Sequence, residues 1–311
     1  MKTIQDVLAQ FIQAPENQGA YQKRLTYILK HPQVVNFLSD HQDQIDQSMI
    51  KNSISKLNEF VTEVDAQAKG KESAKPGFIP HLFIHDNFID VTYHPSPAFI
   101  EEQAKRQVKA RIDNRMMSRD VREARFEDLY LDHPSRQVVI NQILAFVEKL
   151  KKSPDQAKGL YLAGSFGIGK TYILGALANR LAAIGYQVHM LHYPTFAHEM
   201  KDAIRNHAVA SNIDQVKKKQ ILIIDDIGAE TNSSWLRDEV LGVILEYRMK
   251  ESLPTFFTSN FSMEDLLSHL AESRDASESI KAMRLMQRIQ YLATEVRMEG
   301  DNLRLQERMS K

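Results

Sequence analysis

Apolar residues over roughly the first sixty positions recur at helical spacing. Tyr21, Leu25, Ile28 and Leu29 form one stripe; Val34, Phe37 and Leu38, then Ile45, Met49 and Ile50, then Ile54, Leu57, Phe60 and Val61 form three more. Gln, Asp and Glu fill the other faces, and Pro32 suits a first helical turn. A small helical domain is predicted here. Between Ala66 and Gly77 the chain turns polar and reads as a loop. Leu82, Phe83 and Ile84, then Phe88 to Tyr93, are separated by His85, Asp86 and Asn87 and predict a β-hairpin, closed by Pro95 and Pro97.

Residues 101–125 set Lys105, Arg106, Lys109, Arg111, Arg115, Arg119, Arg122 and Arg125 against few acids, the composition of one long exposed helix. It reads either as a solvated connector or as a stripe that meets nucleic acid or a partner. From Phe126 the pattern becomes α/β. Strands are predicted at Leu160–Ala163, Gln187–His192, Ile221–Ile224 and Thr255–Ser259, with a further one at Glu295–Met298. The intervals between them are long enough for crossover helices. In the first, the stripe Ile173, Leu177, Leu181 and Ile184 stops at Gly185, a natural helix end. Strands alternating with helices indicate a parallel sheet covered on both faces. The expected organisation is an N-terminal domain over 1–100, a basic helical linker over 101–125 and an α/β domain over 126–311.

Charge and composition narrow the function. Among 311 residues, 40 basic side chains balance 40 acidic ones, so any nucleic-acid surface must be local. There is no cysteine. Its absence excludes disulfides, thiolate zinc sites, iron–sulfur clusters and a cysteine nucleophile, and fits a reducing cytoplasm. Met1 to Phe11 lacks the apolar core of a signal peptide, and no stretch approaches the roughly 20 apolar residues of a membrane span. A cytoplasmic protein is expected.

Gly164-Ser165-Phe166-Gly167-Ile168-Gly169-Lys170-Thr171 satisfies the phosphate-loop pattern, following a buried-type strand and opening an amphipathic helix. Its backbone N–H groups suit the β- and γ-phosphates of ATP. Lys170 is expected to bridge those phosphates and the Thr171 hydroxyl to hold Mg²⁺. Ile221 to Ile224 form a strand apolar on both faces that ends in Asp225 and Asp226, at the carboxyl edge where α/β sheets bind ligands. Asp225 is the expected Mg²⁺-side acid, and Asp226 stands where a carboxylate could polarise the attacking water. Asn260 ends the next strand, where an amide can orient that water or contact the γ-phosphate. Arg284 and Arg288 lie one turn apart on a helical stretch.

These segments resemble the AAA+ family of P-loop ATPases and, within it, the bacterial replicative helicase loaders. The likeness rests on Gly159 to Thr171, Ile224-Asp-Asp-Ile-Gly-Ala-Glu, Trp235-Leu-Arg-Asp-Glu-Val, Pro254-Thr-Phe-Phe-Thr-Ser-Asn-Phe and Arg284-Leu-Met-Gln-Arg-Ile. It implies an AAA+ core, ATP and Mg²⁺ as cofactors, ATP hydrolysis, and loading of the hexameric replicative helicase onto single-stranded DNA by a protein that self-assembles through its ATP sites. It further implies that the N-terminal domain grips the helicase. Asn260 becomes the sensor-1 residue, Arg288 the arginine finger acting on a neighbouring subunit, and Arg304 a second arginine sensor; Arg237 is a further trans candidate. Only seven residues, 305–311, follow Arg304, so the usual helical lid has no room.

Many loaders of this kind carry a largely cysteine-built zinc site in the N-terminal domain. Here His81, His85 and His94 remain without a fourth ligand, so zinc is not expected and the hairpin should hold by packing of Phe83, Phe88 and Tyr93. Two alternatives stay open: a transposition helper ATPase, which shares the lidless core, and a nucleotide-gated adaptor with little hydrolysis, since Asp226 replaces the commoner, longer glutamate.

Overall fold

The computed structural model describes residues 19–71, 73–131, 133–231, 233–271 and 276–303. The chain divides into two compact units, Met1–Lys105 and Arg106–Lys311.

In the first unit, α1 (Ala20–Leu29), α2 (Pro32–Asp40), α3 (Gln47–Asn52) and α4 (Ile54–Ala68) follow the four apolar stripes. Their buried faces, among them Leu29, Val34, Leu38, Leu57 and Val61, form one core. Strands β1 (Phe78–His85) and β2 (Phe88–Pro95) pair antiparallel, with Asp86 at a φ of 49° opening the tight turn. Of the three aromatics expected to hold the hairpin, Phe83 and Phe88 lie on the face away from the helices, while Tyr93 shares the inner face with Leu82, Ile84, Ile89 and Val91. Ile89 is fully buried and Leu82, Ile84 and Val91 pack on the helical core, whereas Phe83 is 38% and Phe88 50% exposed. Strand alternation offers two faces, and the helices cover the aliphatic one. Ser53 Oγ also accepts from Ile89 N at 2.7 Å, fixing the hairpin to the start of α4. Tyr93 donates from its hydroxyl to Glu59 at 2.8 Å, so of the three aromatics it alone is tied to a helix. His81 and His94 stack their rings 4.7 Å apart. Among the described residues no group of three metal-ligating side chains converges.

Helix α5 (Pro97–Ala110) does not continue to residue 125 as the composition suggests. After Ala110 the chain enters the second unit's sheet: Ile112–Asp113 form β3, paired in parallel with Val188 and His189. The reason lies in three apolar positions the basic residues conceal. Met117, Val121 and Ala124 are buried, the first two in the core under the sheet, and α6 (Arg119–Arg122) lies against the helix of the phosphate loop. Two of the arginines are neutralised locally, Arg115 by Asp113 and Arg119 by Glu123.

The second unit continues with α7 (Pro134–Lys152), β4 (Gly159–Ala163), α8 (Lys170–Ala183), β5 (Val188–His192), α9 (Tyr193–Arg205), α10 (Val209–Lys217) and β6 (Ile221–Asp225). A π-helical turn (Leu236–Leu241) then leads into α11 (Gly242–Lys250), followed by β7 (Thr255–Ser259), α12 (Met263–Leu270), α13 (Ala276–Leu292) and β8 (Ala293–Arg297). The strands form one parallel sheet in the order β3-β5-β6-β7-β4-β8. Every residue of β4, β6 and β7 is buried. Alternate residues serve opposite cores: Leu222, Ile224 and Phe257 face one helical layer, and Ile221, Ile223 and Phe256 the other. This is why the strands read as continuous apolar runs. The chain leaves β4 toward β5 on one side and returns at β8 on the other, so the carboxyl end of β4 is a topological switch point, where such sheets bind ligands. Among the described residues no helix is long and apolar enough to cross a membrane.

Candidate nucleotide site

A cleft of about 730 Å³ opens at that switch point. Its floor is the loop from Gly164 to Thr171. Gly167 takes a φ of +76°, which an L-residue adopts only at a cost, and a Cβ there would lie 2.1 Å from Asn302 Oδ1. The positive φ is what calls for glycine, since the Asn302 side chain could move aside. Lys170 opens α8 and is 7% exposed. Its ammonium donates to Gly164 O at 2.7 Å, Ser165 O at 2.8 Å and Asn260 Oδ1 at 2.9 Å, holding the charge at the loop's centre.

Thr171 Oγ1 donates to Asp225 Oδ1 at 2.8 Å, and Thr258 Oγ1 donates to the same oxygen at 2.7 Å. Asp225 ends β6 and is 4% exposed. Burial pushes its carboxyl above the ordinary range, partly offset by the two hydroxyl bonds. A hydroxyl and a carboxylate side by side are hard oxygen donors, the set that suits Mg²⁺.

Asp226 turns out of the strand into the left-handed region at a φ of 60°, an uncommon conformation that Asp tolerates better than most residues. Its amide donates to Thr258 Oγ1 at 2.9 Å, and its carboxylate accepts from Asn260 Nδ2 at 2.9 Å. His192, at the end of β5, brings Nε2 to 3.9 Å from Asp226 Oδ2. The structure thus gathers Lys170, Thr171, Asp225, Asp226 and Asn260 on one wall. Residues 116–136 also line the cleft, with apolar Met116, Met117, Val121, Leu129 and Tyr130 alongside polar Ser118, Asp120, Asp128 and Arg136.

The arginines stand apart from this cluster. Arg288 donates from Nη1 to Gly242 O at 2.8 Å and from Nη2 to Glu246 at 3.0 Å, bridging α13 to α11 and remaining partly exposed. Arg284 is exposed on the same helix. Arg237 is 4% exposed and spends its donors on Asp238, Glu278 and Leu270 O within its own chain. Four of its five N–H donors are thus taken within its own chain. Arg304 lies outside the described residues.

Four cleft residues had escaped the sequence reading. His192 carried the same signal as Asp225, a polar residue at the carboxyl end of a buried parallel strand. Thr258 lay inside a quoted segment but without a role. Tyr130 and Arg136 carried no signal, because only the fold brings residues 116–136 to the loop.

Sheet order, phosphate loop and paired acids define a P-loop protein of the AAA+ class. Comparison with known proteins carries this further. Residues 98–311 match the IstB-like ATP binding protein family, and residues 1–93 match the primosomal protein DnaI N-terminus. The replicative helicase loader DnaI of Bacillus subtilis (strain 168) is 34% identical over 294 residues, covering 91% of this chain and 94% of that one. A solved structure of DnaI shares 40% identity and covers 61% of this chain and 98% of its own, with a TM-score of 0.55. The chain belongs to the DnaI family, with an ATP-binding AAA+ core.

Proposed function

We propose that this protein loads the replicative DNA helicase onto single-stranded DNA at the start of replication, using ATP bound in the cleft. The observation that carries the reading is the joining, in one chain, of a DnaI-type N-terminal segment to an IstB-like ATP-binding core. The core alone would fit a transposition helper equally well; the N-terminal segment favours the loader. That segment, over 1–100, would be the part that grips the hexameric helicase.

The residues suit the chemistry. Thr171 and Asp225 would hold Mg²⁺, which when bound neutralises charge on the phosphates. Lys170 supplies a fixed positive charge to the β- and γ-phosphates, and the N–H groups from Gly164 to Thr171 cradle them. The apolar side chains of Met116 and Tyr130 in the lining could meet the flat face of a base. Asp226 accepts the proton of the attacking water, and Asn260 orients Asp226. Arg288 would complete the site from a neighbouring subunit, which makes hydrolysis depend on self-assembly. The family resemblance would make Arg304 a second arginine sensor.

Co-purification tests this reading. The full chain with ATP should retain the replicative helicase of its own organism, and a chain that retains no helicase with or without ATP would contradict the proposal. Single-turnover hydrolysis of labelled ATP, with and without single-stranded DNA, separates an ATPase from an adaptor that merely binds nucleotide.

A further inference from the structure

The carbonyl oxygens of the phosphate loop are held individually. Lys170 takes those of Gly164 and Ser165. Leu303 N donates to Gly167 O at 3.0 Å, and Arg136 Nη2 donates to Ile168 O at 3.1 Å. Leu303 follows β8 by way of residues 298–302, which are neither strand nor helix. That segment is docked rather than loose. Met298 N donates to Ala163 O at 2.7 Å, and Ser135 Oγ both donates to Glu299 O and accepts from Glu299 N at 2.9 Å. The Asn302 amide occupies the space a Cβ at Gly167 would fill, its Oδ1 2.1 Å from where that atom would stand. Arg136 is 2% exposed, lies beside Gly300 and also reaches Tyr130 O at 3.4 Å. A charged side chain buried this deeply must be matched to specific acceptors, or its desolvation would not be tolerated.

A trans peptide points its N–H opposite to its C=O. Holding Gly167 O and Ile168 O therefore fixes the directions of the Ile168 and Gly169 N–H groups, and these are donors of the loop's phosphate cradle. We infer that Arg136 and the Asn302–Leu303 segment are positioning groups that preset the phosphate loop. The inference rests on the nucleotide reading of the cleft. Because the preset orientation serves the β-phosphate of ATP and ADP alike, its loss acts on affinity for both and leaves the chemical step largely intact.

The test uses the full chain with Mg·ATP and Mg·ADP as probes. Asn302→Ala removes the amide seated on Gly167; Leu303→Pro deletes the N–H itself; Arg136→Lys keeps the charge but offers fewer directed donors. Each variant should bind both nucleotides about tenfold more weakly, as expected for one charge-assisted or well-aligned hydrogen bond. The turnover rate at saturation should stay within about threefold and the melting temperature near wild type. Amide exchange at Ile168 and Gly169, measured without nucleotide, should quicken. If folded Asn302→Ala and Leu303→Pro proteins bind both nucleotides within about twofold of wild type and show unchanged exchange, the inference is wrong. If the wild type binds neither nucleotide, the reading of the cleft fails, and the exchange measurement alone still decides the clamp. Should Arg136→Lys not fold, the other two variants decide.

Discussion

Asn260 donates to Asp226 from its amide nitrogen at 2.9 Å while its amide oxygen accepts from Lys170 at the same distance. The orientation of this amide is dictated by its partners, since an ammonium only donates and a carboxylate only accepts. One side chain therefore links the charge that holds phosphate to the carboxylate that would take the proton. Asn260→Ala should cut hydrolysis by roughly 10²-fold, within the range of a misplaced general base, with a much smaller effect on ATP affinity. Asp226→Asn should reproduce the rate loss, and the double variant should be scarcely worse than either single one. Additive losses in single-turnover rates would show that the two act independently.

Lys170→Ala should abolish nucleotide binding and leave the unliganded fold intact, because the ammonium's partners are the loop's own carbonyls and Asn260. Calorimetric titration checks the first point and circular dichroism the second. Wild-type ATP affinity in this variant would remove the cleft from consideration as the nucleotide site.

Asp225 sets stability against binding. Its folded pKa is raised by burial, so between the unfolded value and the folded one the native state holds more protons, and stability falls as pH rises through that window. At neutral pH the buried charge is a net cost. Asp225→Asn keeps an oxygen for Thr171 and Thr258, so the unliganded variant should melt at or above the wild-type temperature while losing Mg²⁺-dependent ATP binding. In the wild type, that binding should fade on acidification at a higher pH than an exposed carboxylate would set. A variant that melts lower than wild type at pH 7 would contradict the assignment of the cost to burial.

Arg248 is fully buried, with no carboxylate partner among the described residues. It donates to Lys217 O, Lys219 O, Pro254 O and Thr255 Oγ1, joining the end of α10 to the start of β7. Arg248→Met should destabilise the second unit by about 3–5 kcal/mol, the cost of leaving several buried carbonyls unpaired. Denaturant titration followed through this unit measures it, and a loss under about 1 kcal/mol would show that water replaces the guanidinium.

The bonds of Arg288 to Gly242 and Glu246 offer a structural role beside the proposed one in trans. Mixing Arg288→Ala with Lys170→Ala distinguishes them. If Arg288 acts on a neighbour, two inactive proteins should regain part of the ATPase activity together, since an intact pocket meets an intact arginine. Co-assembly without recovery would assign Arg288 to the α11–α13 contact and pass the trans role to the exposed Arg284.

Much of this site was legible in advance because its signals are local. The phosphate loop is a contiguous motif, and buried parallel strands announce themselves as apolar runs whose ends bear Asp225 and Asn260. What stayed hidden depends on distant partners. Strand β3 has only two residues, too few for a periodic signal, and exists because β5 offers an edge. The arginines around it have the composition of a helix, yet Met117 and Val121 are drawn under the sheet. In the hairpin, alternation offered two faces equally, and the helical core selected Ile89 over Phe88. Arg136 gave no sign in the sequence, since its acceptor Ile168 O is a backbone atom.

If ATP bound in this cleft drives helicase loading, the helicase should be placed on DNA only with both the nucleotide and this protein present. The most direct measurement incubates the replicative helicase with circular single-stranded DNA and the full chain, then counts helicase rings retained on the circle. Retention should require both this protein and ATP, and should fall to background with Lys170→Ala. Equal retention without the protein, or with Lys170→Ala in its place, would contradict the account.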